Sequence, residues 1–254
     1  MSDTTSSGTP ERTGAISISG VFSRTFAALA SNFGTFLIIC FLMLLPMPFL
    51  NLLTGGGTAS PLEVVGLGYV VAVLVNIVLT YAAMGAVVYG TVAYLRGRPA
   101  SLGECLSGGF SVVVPVLLVA ILITIMGAIG MMLLVIPGII VFVITAAAVP
   151  AVVVERPGIW GSIKRSAELT KGNRWRVFAL LVIFYIVIMG MAWVLGLFGL
   201  PILVPDGTVF AIIVLYAWSG ITTTFFAVFG AVLYHDLRIA KEGVSTEQIA
   251  AVFD

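Results

Sequence analysis

The sequence predicts an all-α, polytopic membrane protein with six transmembrane helices. Three observations carry this. Sixty per cent of the 254 residues are hydrophobic and only 9% are charged, against roughly 25% charged in a soluble domain. Several uncharged runs exceed the ~18 residues needed to cross a bilayer. The few charges fall between the runs, not inside them.

Residues 1–15, rich in Ser and Thr, read as a disordered tail. No secretory signal is expected, because the Ala-x-Ala at residues 28–30 precedes the first apolar run. The membrane domain is expected over residues 16–236 and a tail with a short helix over 237–254, where Ser245 and Gln248 fit a capping box.

The first span is expected over residues 33–53, its outer part bent or ended by Pro46 and Pro48, which lack an N–H. The second covers residues 62–95, about 50 Å of helix, and must tilt or project from a ~30 Å hydrocarbon core. The third covers 111–134. Pro137 and Gly138 are expected to turn the chain tightly into a short fourth span over 139–154, with the backbone near Pro150 completing the crossing in extended form. The alternative is a re-entrant hairpin with Pro137 and Gly138 at its tip, disfavoured because irregular backbone exposed to lipid is costly. The fifth covers 175–200 and the sixth 208–234, separated by Pro201, Pro205, Asp206 and Gly207.

Basic residues then sort by side. Arg12 and Arg24 precede the first span, Arg96 and Arg98 follow the second, and Arg238 and Lys241 follow the sixth. The connection ERPGIWGSIKRSAELTKGNRWRVF holds the other six: Arg156, Lys164, Arg165, Lys171, Arg174 and Arg176. The opposite connections carry only Glu63 and Asp206. Positive residues mark the cytoplasmic side, so both termini are expected in the cytoplasm.

Each pair of spans follows a short stretch with helical patterning, expected to be a cytoplasmic interfacial helix. In the first, residues 16–32, Val21, Phe22, Thr25, Phe26 and Leu29 share a face. In the second, Ser101 and Glu104 fit a capping box. In the third, residues 157–172, Trp160, Ile163 and Ala167 share one face and Lys164, Glu168 and Lys171 another. The chain thus reads as three parallel pseudo-repeats of short helix, span, span. Small residues four apart suit close helix packing: Ala82, Ala86 and Gly90; Ala120, Thr124 and Ala128; Thr223, Ala227 and Ala231.

Chemistry is sparse. No span carries an ionisable side chain away from its ends, which argues against an ion-coupled carrier. Asn76, with Thr80 and Tyr81 a turn later, is the polar spot at depth; interhelical hydrogen bonding is the plain reading and a solute or lipid cavity the alternative. His235, the single histidine, stands beside Asp236 but lacks a second His or Cys ligand, so no metal is expected. Neither Cys40 nor Cys105 has an obvious disulfide partner. Phosphate loop, zinc motif and nucleophile elbow are missing, so no catalytic residue, no cofactor and no enzymatic activity are expected. The basic connection has two equal readings, a structural collar or a site for anionic lipid headgroups built from Trp160, Lys164, Arg165, Lys171, Arg174, Trp175 and Arg176.

Four motifs carry a family resemblance: the proline and glutamate of Pro150 and Glu155, IKRSAELTKGNRW from Ile163, YHDLRIAKEG from Tyr234, and the IPG at Ile136. Together they resemble the membrane domain that precedes the catalytic domain in some prokaryotic glycerophosphoryl diester phosphodiesterases, and its stand-alone relatives of unknown function. These 254 residues hold no counterpart of the phosphodiesterase domain, so that activity is not expected to carry over. The resemblance implies a non-catalytic, six-span module of the bacterial inner membrane with its matching residues on the cytoplasmic face. They are Glu155, Arg165, Ser166, Gly172, Asn173, Asp236, Arg238, Lys241, Glu242 and Gly243. Some are expected to tie the third interfacial helix to the tail, Glu155 or Asp236 pairing with Arg165 or Arg238. The expected function is a scaffold or lipid-interacting module beside a lipid-metabolising or envelope complex. Its expected partners are anionic membrane lipids and membrane proteins, not nucleic acid. The alternative is a carrier or permeation pathway for a lipid or uncharged solute, lined by Asn76, Thr80, Ser219 and Thr222 to Thr224.

Overall fold

A computed structural model describes residues 15–44, 67–98, 100–198, 200 and 209–243. The described residues are helical, without strands. In chain order the helices are α1 (Ile18–Leu44), α2 (Leu67–Leu95), α3 (Leu102–Ser111), α4 (Val113–Leu133), α5 (Val135–Thr145), α6 (Ala148–Val154), α7 (Ile159–Thr170), α8 (Arg174–Leu197) and α9 (Val209–Glu242). Six are long and apolar enough to cross a membrane, counting α5 and α6 as one broken helix, Val135–Val154. The expected Pro46 and Pro48 bend, the turn through Pro201 to Gly207 and the capped helix from Ser245 lie outside the described residues.

The first interfacial stretch and the first span are one helix, α1, kinked at Asn32 (φ −123°, ψ 15°). The Asn32 amide donates back to the Ala28 carbonyl at 3.2 Å, a local bond that competes with the helix ladder. The Ser31 hydroxyl donates to the Tyr94 hydroxyl at 3.0 Å, fastening the kink to the end of α2. The second and third stretches are the separate helices α3 and α7, so short helix and span are distinct elements in the second and third units and merge in the first.

Helix α2 lies at the centre and packs against α1, α3, α4, α6 and α9. Its expected small-residue stripe is buried at Ala82 and Ala86. On α9, Ala227 and Ala231 are buried as well. On α4 the expectation fails: Thr124 and Ala128 face outward. The contact with α5 instead uses Gly127 and Gly130, which lack even a methyl group and admit closer approach. A Cβ on Gly130 would come 2.9 Å from the Gly138 backbone.

The turn into the fourth span also differs. It is made at Leu134, in extended geometry (φ −165°, ψ 149°), and not at Pro137 and Gly138. Pro137 sits in the first turn of α5, where its missing N–H has no partner to lose. Pro150 sits likewise in the first turn of α6, so this segment is helical where an extended finish was expected. A proline ring clashes with the carbonyl four residues back, here Ala146, and that is where the span breaks. Finally, α9 continues past residue 234, where the sixth span was expected to end, through the YHDLR motif to Glu242.

Candidate functional site: the basic end of the bundle

The start of α1, the end of α2, helix α3, the end of α6, helix α7, the start of α8 and the end of α9 meet at one end of the bundle, where the described lysines and arginines collect. Helix α7 anchors this end. Ser162, Ser166 and Thr170 repeat every four residues and are fully buried, with Ile163 and Leu169 beside them. Helix α7 packs against α4, α5, α6 and α9. Ser166 fills the break in the fourth span: its hydroxyl donates to the Ile144 carbonyl at 2.6 Å and accepts from the Ala147 N–H at 3.1 Å. Two backbone groups released by the proline break are thus satisfied by one side chain from a neighbouring helix.

Around this anchor runs an ionic network. Arg165 presents Nε to both oxygens of Glu155 (3.0 and 2.8 Å) and Nη2 to Glu242. Arg238 closes on the other Glu242 oxygen at 2.7 Å, and the buried Tyr234 hydroxyl donates to Glu155 at 2.5 Å. The end of α6, helix α7 and the end of α9 are therefore joined through Glu155, Arg165 and Glu242. Burial pulls the Arg165 pKa down, but the hydrogen bonds to Glu242 and Glu155 more than offset it and the net shift is upward. Arg165 stays a cation under all ordinary conditions.

Asp236 departs from the expected pairs. It is almost fully buried, and its partner is Arg24 of α1, not Arg165 or Arg238. His235 Nδ1 lies 3.5 Å from the other Asp236 oxygen. Asn173 also turns to the N-terminal segment: its side-chain oxygen accepts from the Ile16 N–H at 3.3 Å, while Arg176 Nη1 donates to the Ile16 carbonyl at 2.9 Å. The N–H and C=O of one residue are held between two side chains of the α7–α8 region. Sequence reasoning missed Arg24, Ile16 and Ser166 in these roles. A buried face of Ser and Thr spaced by four was the available signal for Ser166; nothing in one sequence pointed Arg24 at Asp236, 212 positions away.

The expected headgroup residues divide. Arg165 is held in the network and Arg176 bonds Ile16. Trp160 and Trp175 are 70% and 84% exposed, and Lys164, Lys171 and Arg174 are exposed without an ion pair among the described residues. The expected face pairing Trp160 with Ile163 is split, since Ile163 points into the bundle while Trp160 stands with Lys164 outside.

Three threonines within the spans bond back to their own helices. Thr80, Thr222 and Thr224 donate to the carbonyls of Asn76, Trp218 and Gly220 at 2.8 to 2.9 Å. The Asn76 amide nitrogen is buried and meets no acceptor among the described residues; Tyr81 is half-buried against the core. No group of three metal-ligating side chains occurs among the described residues. An apolar groove of about 320 Å³ lies between α1, α8 and α9, lined by Phe26, Phe33, Val187, Met191, Trp218 and Ile221 among others.

Comparison with known proteins gives one match. A family described as a domain of unknown function (DUF7847) matches residues 64–237, more than two-thirds of the chain. No curated protein and no solved structure matches.

Proposed function

Since the chain belongs to the DUF7847 family, whose function is unknown, we propose from the geometry that it is a non-catalytic, lipid-interacting module or scaffold of a bacterial inner membrane. Its basic end faces the cytoplasm. The observation that carries this reading is the division of labour among the basic residues. Arg24, Arg165 and Arg176 tie separate segments together and Arg238 braces Glu242 on its own helix, while Lys164, Lys171 and Arg174, flanked by exposed Trp160 and Trp175, remain available to anionic lipid phosphates. Each such side chain near an anionic surface contributes about 1 kcal/mol. The resemblance to the phosphodiesterase-associated membrane domain supports the same reading and suggests a setting beside lipid-metabolising or envelope proteins.

The test is native mass spectrometry of protein extracted with its lipids. Wild type should retain anionic lipid, and a Lys164→Gln, Lys171→Gln, Arg174→Gln variant should lose most of it. Equal retention by both would refute the band. The second reading, a carrier for a lipid or uncharged solute, draws on the apolar groove between α1, α8 and α9. It would be favoured if Met191→Trp, which fills the groove, abolished lipid exchange between vesicles while headgroup retention persisted.

A further inference from the structure

The ends of α2 and α6 border a half-open pocket of about 400 Å³ at the basic end, within the ~300–1,000 Å³ usual for small-molecule sites. Its floor includes Tyr89, Val92 and Val153, and its rim is Arg96, Arg98 and Arg156. No carboxylate is among the lining residues. Glu104 stands behind one of the three arginines: it accepts from Arg98 Nη2 at 2.5 Å and is fixed by the Ser101 capping box on α3. The Ser101 backbone N–H and hydroxyl, then Arg98, hold the Glu104 carboxyl below its usual range, so it remains ionised. Among the described residues, three guanidinium groups against one carboxylate leave two positive charges at the rim.

The backbone at Arg156 is unusual. Its φ is 53°, and it is the one non-glycine residue with positive φ among those described. It also precedes Pro157, a position normally confined to extended geometry. Such strained conformations collect at binding sites. Arg156 lines the pocket together with Arg96 from the end of α2. Arg156 Nη2 donates to Ser111 Oγ at 3.0 Å, which fixes the fork and leaves its other N–H groups for a ligand. The floor is shaped too: the Tyr89 ring lies against Gly108, where a Cβ would come 2.9 Å from the ring.

We propose that this pocket binds a phosphate monoester. Two uncompensated guanidinium groups match a dianion, and their fork geometry matches phosphate oxygens. The floor of Tyr89 and valines accommodates an organic substituent next to the phosphate. The same chemistry is offered by a phosphomonoester lipid and by a soluble phosphate, and the test separates them. The pocket is independent of Lys164, Lys171 and Arg174.

The full chain in detergent is titrated with phosphatidic acid, with phosphatidylglycerol of the same acyl chains, and with inorganic phosphate, reading bound mass and thermal protection. Wild type should favour the monoester lipid over the diester. Arg96→Gln and Arg156→Gln should each weaken monoester binding roughly tenfold or more, the loss expected for one charged contact. Gly108→Leu, which forces Tyr89 toward the pocket without changing charge, should weaken it as well. Arg96→Gln alters only the exposed end of α2, so its folding guards against misreading the strained Arg156 loop. Protection by inorganic phosphate alone would identify a soluble ligand, whereas protection by phosphatidic acid alone would identify a lipid. The Lys164→Gln, Lys171→Gln, Arg174→Gln variant should keep monoester selectivity, which separates failure of this site from failure of the interfacial band. Equal binding of phosphatidic acid and phosphatidylglycerol without protection by inorganic phosphate, or equal binding of the protecting phosphate compound by wild type and the Arg96 and Arg156 variants, would overturn the assignment.

Discussion

Asp236 is the residue whose environment most constrains its chemistry. Its side chain is only 5% exposed, and the guanidinium that balances it is Arg24. Arg24→Ala should therefore cost about 2–3 kcal/mol, the low end for a buried pair because the Arg24 side chain is itself half-exposed. Most of that cost comes from the buried carboxylate left without its partner. Asp236→Asn added to that background should recover part of the loss, because a neutral amide is cheaper to bury. Thermal unfolding in detergent of the two single variants and the double reads this directly. Ser166 is the neutral counterpart. Ser166→Ala removes a donor and an acceptor from the break in the fourth span and should destabilise by about 1–3 kcal/mol, with the same measurement.

At the scale of elements, the α4–α5 hairpin is the sharpest case. Gly130→Leu should force α4 from α5, because the atoms it would meet are backbone and cannot rotate away. Ala128→Leu, on the same helix but facing outward, should be near neutral. A lower unfolding temperature for the first and not for the second would support the contact; equal effects would exclude it. This hairpin also shows where the sequence is ambiguous. Ala120, Thr124 and Ala128 have the right spacing for packing, but Gly127 and Gly130 are small as well, and spacing alone does not say which face meets a neighbour. The prolines are readable as punctuation but not in position. Pro137 and Pro150 suggest a turn and an extended finish, whereas both occupy first turns of helices, which tolerate proline. The spans, by contrast, are legible because apolar length is a property of the local chain. The capping box at Ser101 and Glu104 is legible for the same reason.

At the scale of the molecule, six apolar helices and one basic end form a consistent arrangement, and the helices differ in how firmly they are held. Helix α2 touches five others, while α8 packs against α5 and meets α9 through aromatic rings: Phe184 against Phe225, Phe226 and Phe229. The motifs of the candidate site are visible as clusters of charge, and Glu155 with Arg165 is a readable pair because the two lie ten residues apart. The bonds from Arg24 to Asp236 and from Asn173 to Ile16 join distant parts of the chain, which local patterns do not encode. The three-arginine pocket is invisible in the sequence for the same reason: Arg96 and Arg98 belong to one connection and Arg156 to another.

The proposed function places the basic end in the cytoplasm, where cations without an ion pair among the described residues meet anionic lipid. Labelling of a Lys164→Cys variant by a membrane-impermeant maleimide in intact cells tests it most directly. The native thiols do not interfere, since Cys40 and Cys105 are both buried, and burial, reinforced by Glu104, raises the Cys105 pKa and keeps it protonated. The thiol introduced at position 164 should remain unlabelled in intact cells and react fully once the membrane is permeabilised. Labelling in intact cells would place the basic end outside and contradict the account.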